Sequence, residues 1–370
     1  SPDELLDIIG EYDGLAIRSA TKVTEEVLAK ATKLRAVGRA GIGVDNVDVK
    51  AATKAGVVVM NTPFGNAVTT AEHAITMMLS LARQIPQAHS STVAGKWEKS
   101  KFVGTEISGK ILGIIGCGNI GAIVADRAQG LKMRVIGFDP FLTEERAKTL
   151  GIEKVELDEL LARADFITLH TPLTDATRNV ISADALQKTK KGVRIINCAR
   201  GGLVDESALK VALESGHLLG AALDVFVEEP AKENPLFGLE NLICTPHLGA
   251  STTEAQEKVA VQIAEQISDY LLEGSIRNAL NAPSLSAEEM LQIKPYLKLV
   301  DYLGSFAGQL THTAIKGITI NYAGDAAMLN VEPLTTQLVQ SVLSPHFSGI
   351  NSVNARDIAH ERGIHVIEAK

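Results

Sequence analysis

Aromatic residues are scarce in this 370-residue chain, at 4%, and there are only three cysteines. Cys117, Cys198 and Cys244 lie far apart, with no C-x-x-C pair. That spacing excludes a zinc ribbon or a disulfide framework and fits a reducing compartment, here expected to be cytoplasmic. No metal is expected. Long apolar runs are missing too: none reaches the ~20 residues of a membrane span, and no signal peptide is visible. Positive charge is not in excess. The formal net charge is −8 and no basic stripe stands out, which argues against a nucleic-acid partner. Internal repeats and low-complexity segments are also absent.

What the chain has is aliphatic residues and glycine. It is 45% hydrophobic, with 31 glycines, a composition suited to buried parallel strands joined by tight turns. Its length exceeds one core, so two or three domains are expected. It begins at Ser1-Pro2 in an N-capped helical pattern, 2–9, and ends just after a strand-like run, 363–368. Both ends read as cuts within folded units.

Strand and helix patterns alternate at βα spacing. Strands are expected at 14–18, 34–38 and 57–61, with helices at 25–31 and 49–55. A long helix, 67–83, follows. Six further strands are expected at 112–115, 134–138, 166–170, 194–197, 221–224 and 242–244, separated by helices that include 157–163, 183–188 and 206–215. Six parallel strands suit a doubly wound α/β domain. A helix over 252–273 would return the chain to the first lobe. Beyond Asn281 the pattern changes: helix 294–310, strand 315–322, helices 333–343 and 353–362, strand 364–368.

The most informative stretch is Gly116-Cys117-Gly118-Asn119-Ile120-Gly121. It follows a strand-like run, opens a helix, and has an acid, Asp139, 18 residues past its last glycine. In that context G-x-G-x-x-G is a dinucleotide-binding turn. Gly116 makes the turn, Gly118 admits the pyrophosphate to the helix N-terminus, and Gly121 lets helix and strand pack. Asp139 would accept from the ribose and repel a 2′-phosphate, which favours NAD over NADP.

Ligands in an open parallel sheet gather at the carboxyl ends of its strands. Three such ends carry Cys198-Ala199-Arg200, Asp224 with Glu229 five residues on, and His247-Leu248-Gly249-Ala250. Hydride transfer from a secondary alcohol needs a proton moved at oxygen, a task for His247. Glu229 would orient and charge that imidazole, and Arg200 would fork onto a substrate carboxylate or carbonyl. Asp224 could accept from the nicotinamide carboxamide. His73 reads as structural. His170 ends a strand and could line the cofactor cleft. In the first lobe Arg18 and Arg39, at two strand ends, suggest a second negative group on the substrate. Asn66 follows in a further loop. An excursion at 97–101 could swap onto a partner subunit and lend it Lys99.

These residues carry a resemblance. The runs Ile17-Arg18-Ser19-Ala20-Thr21, Gly38-Arg39-Ala40-Gly41-Ile42-Gly43-Val44-Asp45-Asn46-Val47-Asp48 and Asn61-Thr62-Pro63 resemble those of the D-isomer-specific 2-hydroxyacid dehydrogenases. So do Ala82-Arg83-Gln84-Ile85-Pro86, Asn197-Cys198-Ala199-Arg200-Gly201-Gly202 and Pro246-His247-Leu248-Gly249-Ala250-Ser251-Thr252. The likeness covers nearly all of 1–280.

The resemblance implies a Rossmann NAD domain (68–253) inserted in a smaller flavodoxin-like α/β substrate domain (1–67 and 254–280). A partial α/β intervening domain would follow (281–370). It implies Arg200, Glu229 and His247 as catalytic residues. For NAD it implies Ile42, Asn119, Ile120, Asp139, Thr171, Cys198, Ala199 and Asp224, beside Gly116, Gly118, Gly121, Arg200, His247, Gly249 and Ala250. Arg18, Arg39, Asn66 and Lys99 would hold a phosphorylated 2-hydroxy acid. The implied reaction is oxidation of 3-phosphoglycerate to 3-phosphohydroxypyruvate, at the entry to serine synthesis, by a homodimer or homotetramer. Set against that resemblance, the substrate lobe is expected to lack the strand–helix unit that normally opens it, the intervening domain to be cut short, and a terminal serine-sensing domain to be missing from this sequence. The rival readings are another D-2-hydroxyacid dehydrogenase acting on an unphosphorylated substrate and, remotely, an NAD-sensing corepressor.

Overall fold

The computed structural model describes residues 1–285 and 287–370. The chain packs as two compact units, Ser1–Gly65 with Gln256–Lys370, and Asn66–Ala255.

In the first unit α1 (Pro2–Ile8), β1 (Gly14–Ile17), α2 (Glu25–Lys30), β2 (Ala36–Arg39), α3 (Val49–Lys54) and β3 (Val58–Asn61) alternate along the chain. Side-chain oxygens start the helices: Thr24 accepts from the Val27 N–H and Asp48 from the Ala51 N–H. The strands form a parallel sheet in the order β1-β2-β3. Its register places Ile17, Arg39 and Asn61 side by side at the carboxyl edge. One face buries Ile17, Val37 and Val59 under Val27, Leu28 and Ala52, and the other buries Ala36, Val58 and Met60 against Ile263 and Ile267.

The second unit opens with α4 (Ala67–Arg83) and α5 (Ile85–Val93), then runs β4 (Ile111–Ile115), α6 (Asn119–Gly130), β5 (Arg134–Phe138), α7 (Glu144–Leu150) and β6 (Glu153–Lys154). It continues α8 (Leu157–Arg163), β7 (Phe166–Leu169), α9 (Ala183–Lys188), β8 (Arg194–Asn197), α10 (Glu206–Glu214), β9 (Gly220–Leu223) and β10 (Leu242–Cys244). All strands are parallel, in the order β10-β9-β8-β7-β4-β5-β6. The sheet has seven strands where the sequence pattern gives six; the extra one, β6, is two residues long. β7 and β9 are buried at every position, as strands covered on both faces must be. One face packs Ile115, Ile167, Ile195 and Leu209, and the other packs Met78, Ile114, Val124 and Phe166. The order reverses at β4, between β5 and β7. That is the switch point where such a sheet takes its ligand.

The remainder of the chain comprises α11 (Thr253–Glu273), α12 (Ala287–Leu310), β11 (Gly317–Asn321), α13 (Glu332–Leu343), α14 (Ala355–Glu361) and β12 (His365–Ala369). β11 and β12 form a two-stranded parallel sheet. Helix α12 begins earlier than the expected 294 and continues through Pro295. Burial of Ile293, with Met290 packed beside it, outweighs the hydrogen bond that the proline removes.

Candidate active site

The turn after β4 is shaped for a dinucleotide. Gly116 has φ +92°, and a Cβ there would fall 2.6 Å from the His170 carbonyl oxygen. A Cβ on Gly121 would fall 2.1 Å from the Gly116 carbonyl oxygen, so strand and helix approach as glycine alone allows. Around Gly118 a Cβ would meet nothing within 4 Å, which leaves the backbone open on the ligand side. Gly118 caps α6 without a side-chain acceptor, so the first-turn N–H groups of Asn119, Ile120 and their neighbours remain available to a phosphate. Asp139, just past β5, accepts from the N–H groups of Cys117 and Phe141, one on each carboxylate oxygen, and is thereby aimed beside the glycine turn. His170 and Thr171, past β7, border the same turn. The donor-rich helix start, the open Gly118 and the fixed carboxylate together fit NAD.

Three further strand ends in this unit bring Arg200, Glu229 and His247 together. Asn197, 2% exposed at the end of β8, accepts from the Ala199 N–H and donates to the Arg200 carbonyl, which folds the Cys198–Arg200 segment over the strand end. Gly201 then lies against the Phe226 backbone, where a Cβ would fall 1.8 Å from its carbonyl oxygen. The Arg200 guanidinium donates to the Ala199 carbonyl and is close enough to His247 to oppose its protonation. Cys198 is buried, and desolvation pushes its thiol pKa up, so it lines the site as a neutral group.

His247 Nδ1 lies 2.6 Å from Glu229 Oε2, and Glu229 Oε1 accepts from the Phe226 N–H. The Glu229 hydrogen bond raises the imidazole pKa above its ordinary value, against burial and the Arg200 charge. Burial pushes the Glu229 carboxyl up, but bonds from His247 and the Phe226 N–H outweigh it and hold the pKa below the usual range. The result is a histidine poised to carry a proton, with Nε2 unencumbered by the glutamate.

Asp224 is fully buried directly after β9. Its Oδ1 accepts from the Thr245 hydroxyl (2.5 Å) and the Leu248 N–H (2.7 Å), and its Oδ2 from the Gly249 N–H (2.8 Å). Burial pushes its carboxyl pKa up, but these donors and His73 hold it below the usual range. Asp224 thus carries the loop that presents His247, Gly249 and Ala250. Asn197 and Thr245 are the residues that sequence reasoning missed; each sits at a strand end beside a residue it names, but their partners are set by tertiary contacts.

In the first unit Arg39 ends β2, its guanidinium donating to the Ala40 carbonyl and passing beside Gly41, whose φ is +138°. Arg18 is exposed just past β1, with its carbonyl held by the Asn46 amide. Both thus stand at the carboxyl edge of the small sheet, with Ile42, whose carbonyl accepts from Asn61. Asn66 begins the second unit; its Oδ1 is buried without a hydrogen-bond partner. Lys99 is exposed beside Trp97, which is 86% exposed.

Residues 75–249 match the family described as D-isomer specific 2-hydroxyacid dehydrogenase, NAD binding domain, and residues 292–370 match the D-3-phosphoglycerate dehydrogenase intervening domain. The chain is 49% identical over 372 residues to a D-3-phosphoglycerate dehydrogenase of Synechocystis, covering 100% of this chain and 67% of that protein. It is 47% identical over 359 residues to a D-3-phosphoglycerate dehydrogenase of Bacillus subtilis, covering 97% and 68%. Among solved structures it resembles a D-lactate dehydrogenase of Aquifex aeolicus complexed with NAD and lactic acid, with a TM-score of 0.68, 27% identity and coverage of 75% and 90%.

Proposed function

The chain belongs to the D-isomer-specific 2-hydroxyacid dehydrogenases, as one of their phosphoglycerate dehydrogenases, and from that premise we propose how its residues divide the work. The reaction is NAD-dependent oxidation of 3-phosphoglycerate to 3-phosphohydroxypyruvate, the entry to serine synthesis. The observation that carries the assignment of roles is the Glu229–His247 pair beside Arg200, in the unit that also holds the glycine turn.

Gly116, Gly118, Asn119, Ile120 and Gly121 would hold the pyrophosphate, Asp139 the adenosine ribose, and Thr171, Cys198, Ala199, Asp224, Gly249 and Ala250 the nicotinamide side; Ile42 is also assigned to NAD. NAD bound there would supply the acceptor for the C2 hydride. His247 removes the hydroxyl proton through Nε2 as the carbonyl forms, and Glu229 stabilises the resulting imidazolium. Arg200 binds the substrate carboxylate and polarises the C2 oxygen. Read in reverse, the same imidazolium donates the proton.

Arg18, Arg39, Asn66 and Lys99 are assigned to the substrate, the arginines to its phosphate. We assign residues 1–67 with 254–280 to substrate binding, 68–253 to NAD binding and 281–370 to an intervening domain. The protein would act as a homodimer or homotetramer through the arm that exposes Trp97 and Val103. No helix among the described residues is long and apolar enough to cross a membrane, and three free cysteines fit a cytoplasmic site.

The test is initial-rate kinetics with NAD and 3-phosphoglycerate, D-glycerate or D-lactate. 3-Phosphoglycerate is expected to have the highest kcat/KM. Equal kcat/KM for D-glycerate would overturn the phosphate assignment and favour a dehydrogenase of unphosphorylated hydroxy acids.

A further inference from the structure

Helix α4 presents one stripe, Thr70, His73 and Met77, to the loop that carries His247. Thr70 lies against the place where a Gly249 side chain would begin, and the Thr245 hydroxyl lies 3.9 Å from Met77 Sδ. Between them His73 Nε2 is 3.2 Å from Asp224 Oδ1 and 3.3 Å from Thr245 Oγ1. His73 is thus a polar side chain placed on the unexposed carboxylate around which residues 245–249 are wrapped.

That loop needs holding. His247 sits at φ +54°, a left-handed conformation that is costly for a residue with a side chain and persists only where its surroundings enforce it. Three elements enforce it. The His247 N–H donates to the Asp224 and Thr245 carbonyls, the Leu248 and Gly249 N–H groups bond the Asp224 carboxylate, and Thr245 bonds it through its hydroxyl. Every one of these contacts runs through Asp224 or its neighbour in the loop. Among the described residues His73 alone brings a donor to that carboxylate from a different layer, the helix, 151 positions away in sequence. Its acceptor partner fixes the tautomer, with the proton on Nε2. Cys198 completes a trio with His73 and Asp224, their ligand atoms all within 4.8 Å. Since four donors already occupy the carboxylate, the cluster is built as a hydrogen-bond clamp and not as a cation cage.

We propose that His73 is a positioning residue: by donating Nε2–H to Asp224 it fixes that carboxylate under the 245–249 loop, and so keeps the His247 imidazole against Glu229. The effect on turnover rests on the dehydrogenase reading above; the effect on the His247 ring does not. The titratable groups facing the clamp are Cys198, Glu229 and His247, each of which senses the Asp224 charge, with Arg200 beside His247.

The experiment compares wild type with His73→Phe, which keeps the ring volume and loses the donor, and His73→Gln, whose amide N–H can reach the same acceptor. Three quantities are measured on the full chain: kcat and KM for 3-phosphoglycerate, the thermal midpoint, and the His247 pKa by imidazole NMR titration. His73→Phe is expected to lower kcat about tenfold or more, within the hundredfold that a 1 Å misplacement can cost. KM should stay within about twofold, and the His247 pKa should fall toward its ordinary value. His73→Gln is expected to restore kcat and the pKa toward wild type. If His73→Phe leaves the His247 pKa unchanged, or if His73→Gln titrates and turns over as poorly as His73→Phe while melting like wild type, the clamp is overturned. Should His73→Phe fail to fold, the His73→Gln rescue decides by the same two readouts. A wild type inert toward 3-phosphoglycerate would sink the substrate reading and leave the NMR titration as the judge of His73.

Discussion

The Nδ1 of His247 and the Oε2 of Glu229 lie 2.6 Å apart, and in the proposed mechanism that contact assigns Nε2 to the substrate. With Nδ1 turned to the glutamate, Nε2 is the atom left to exchange a proton. The same contact sets the pH at which it can do so. As a base in phosphoglycerate oxidation His247 must be neutral, so kcat/KM is expected to rise with pH through an apparent pKa above the ordinary histidine value. Glu229→Gln removes the carboxylate whose hydrogen bond and charge raise that pKa. The acid limb of the profile should move to lower pH while the plateau falls by about 100-fold, inside the range typical of acid–base assistance. An unmoved acid limb would show that Glu229 does not set the ionisation.

The pair also links stability to pH, with a sign that can be worked out. The folded His247 pKa is raised, so its contribution is full below the unfolded pKa near 6.5 and is lost as pH rises through the folded value. The folded Glu229 pKa is depressed, so its contribution is present above the unfolded value and is lost as pH falls through the folded one. The coupling between His247→Ala and Glu229→Gln in a double-mutant cycle of thermal stability should therefore peak between those limits and fade as pH rises through the raised His247 pKa. The side chains are 49% and 35% exposed, so the coupling should also weaken in high salt. A coupling that grows with pH above 8 would contradict the assignment.

Arg200 is placed by the Asn197 side chain and by the contact of Gly201 with the Phe226 backbone. Arg200→Lys keeps the charge but loses the planar fork, so kcat/KM for 3-phosphoglycerate should fall by about 100-fold or more while NAD affinity stays within about threefold. Equilibrium NAD titration beside steady-state kinetics checks this. Equal losses in both would confine Arg200 to the NAD role that the resemblance also gives it.

Much of this fold is legible in the sequence because its signals are local. Helix α4 occupies the expected 67–83, since its apolar positions recur at helical spacing and a left-handed Gln84 ends it. The glycine turn is legible because each glycine answers a backbone requirement. The rest depends on partners distant in the chain. β6 is a strand only because it pairs with β5, and two residues carry no period. Helix α5 follows α4 at once and buries no residue fully, so no buried stripe marks it. The same holds for the site. His247 and Arg200 stand out by chemistry and position, whereas the use of Asp224 as a hub, and of His73 as its fourth donor, depends on contacts spanning 21 to 151 positions.

The substrate assignment is most exposed at Arg39. The register aligns Arg39 with Ile17 and Asn61 at the carboxyl edge of the small sheet, and Arg18 follows β1 at the same edge. Two cationic side chains at that edge support the proposal that the substrate carries a charge beyond the carboxylate assigned to Arg200. A charge-assisted hydrogen bond contributes about 1.5–3 kcal/mol, or about 10- to 150-fold in binding. Arg39→Gln should therefore raise the KM for 3-phosphoglycerate by that factor, leave NAD affinity unchanged, and barely alter kcat/KM for D-glycerate, which has no phosphate to lose. Arg18→Gln should do the same more weakly, because its side chain is more exposed to solvent. The ratio of the two kcat/KM values isolates the phosphate term from any general damage to the fold. If Arg39→Gln lowers both substrates alike, the arginine serves the sheet and not the substrate, and the phosphate must be bound elsewhere.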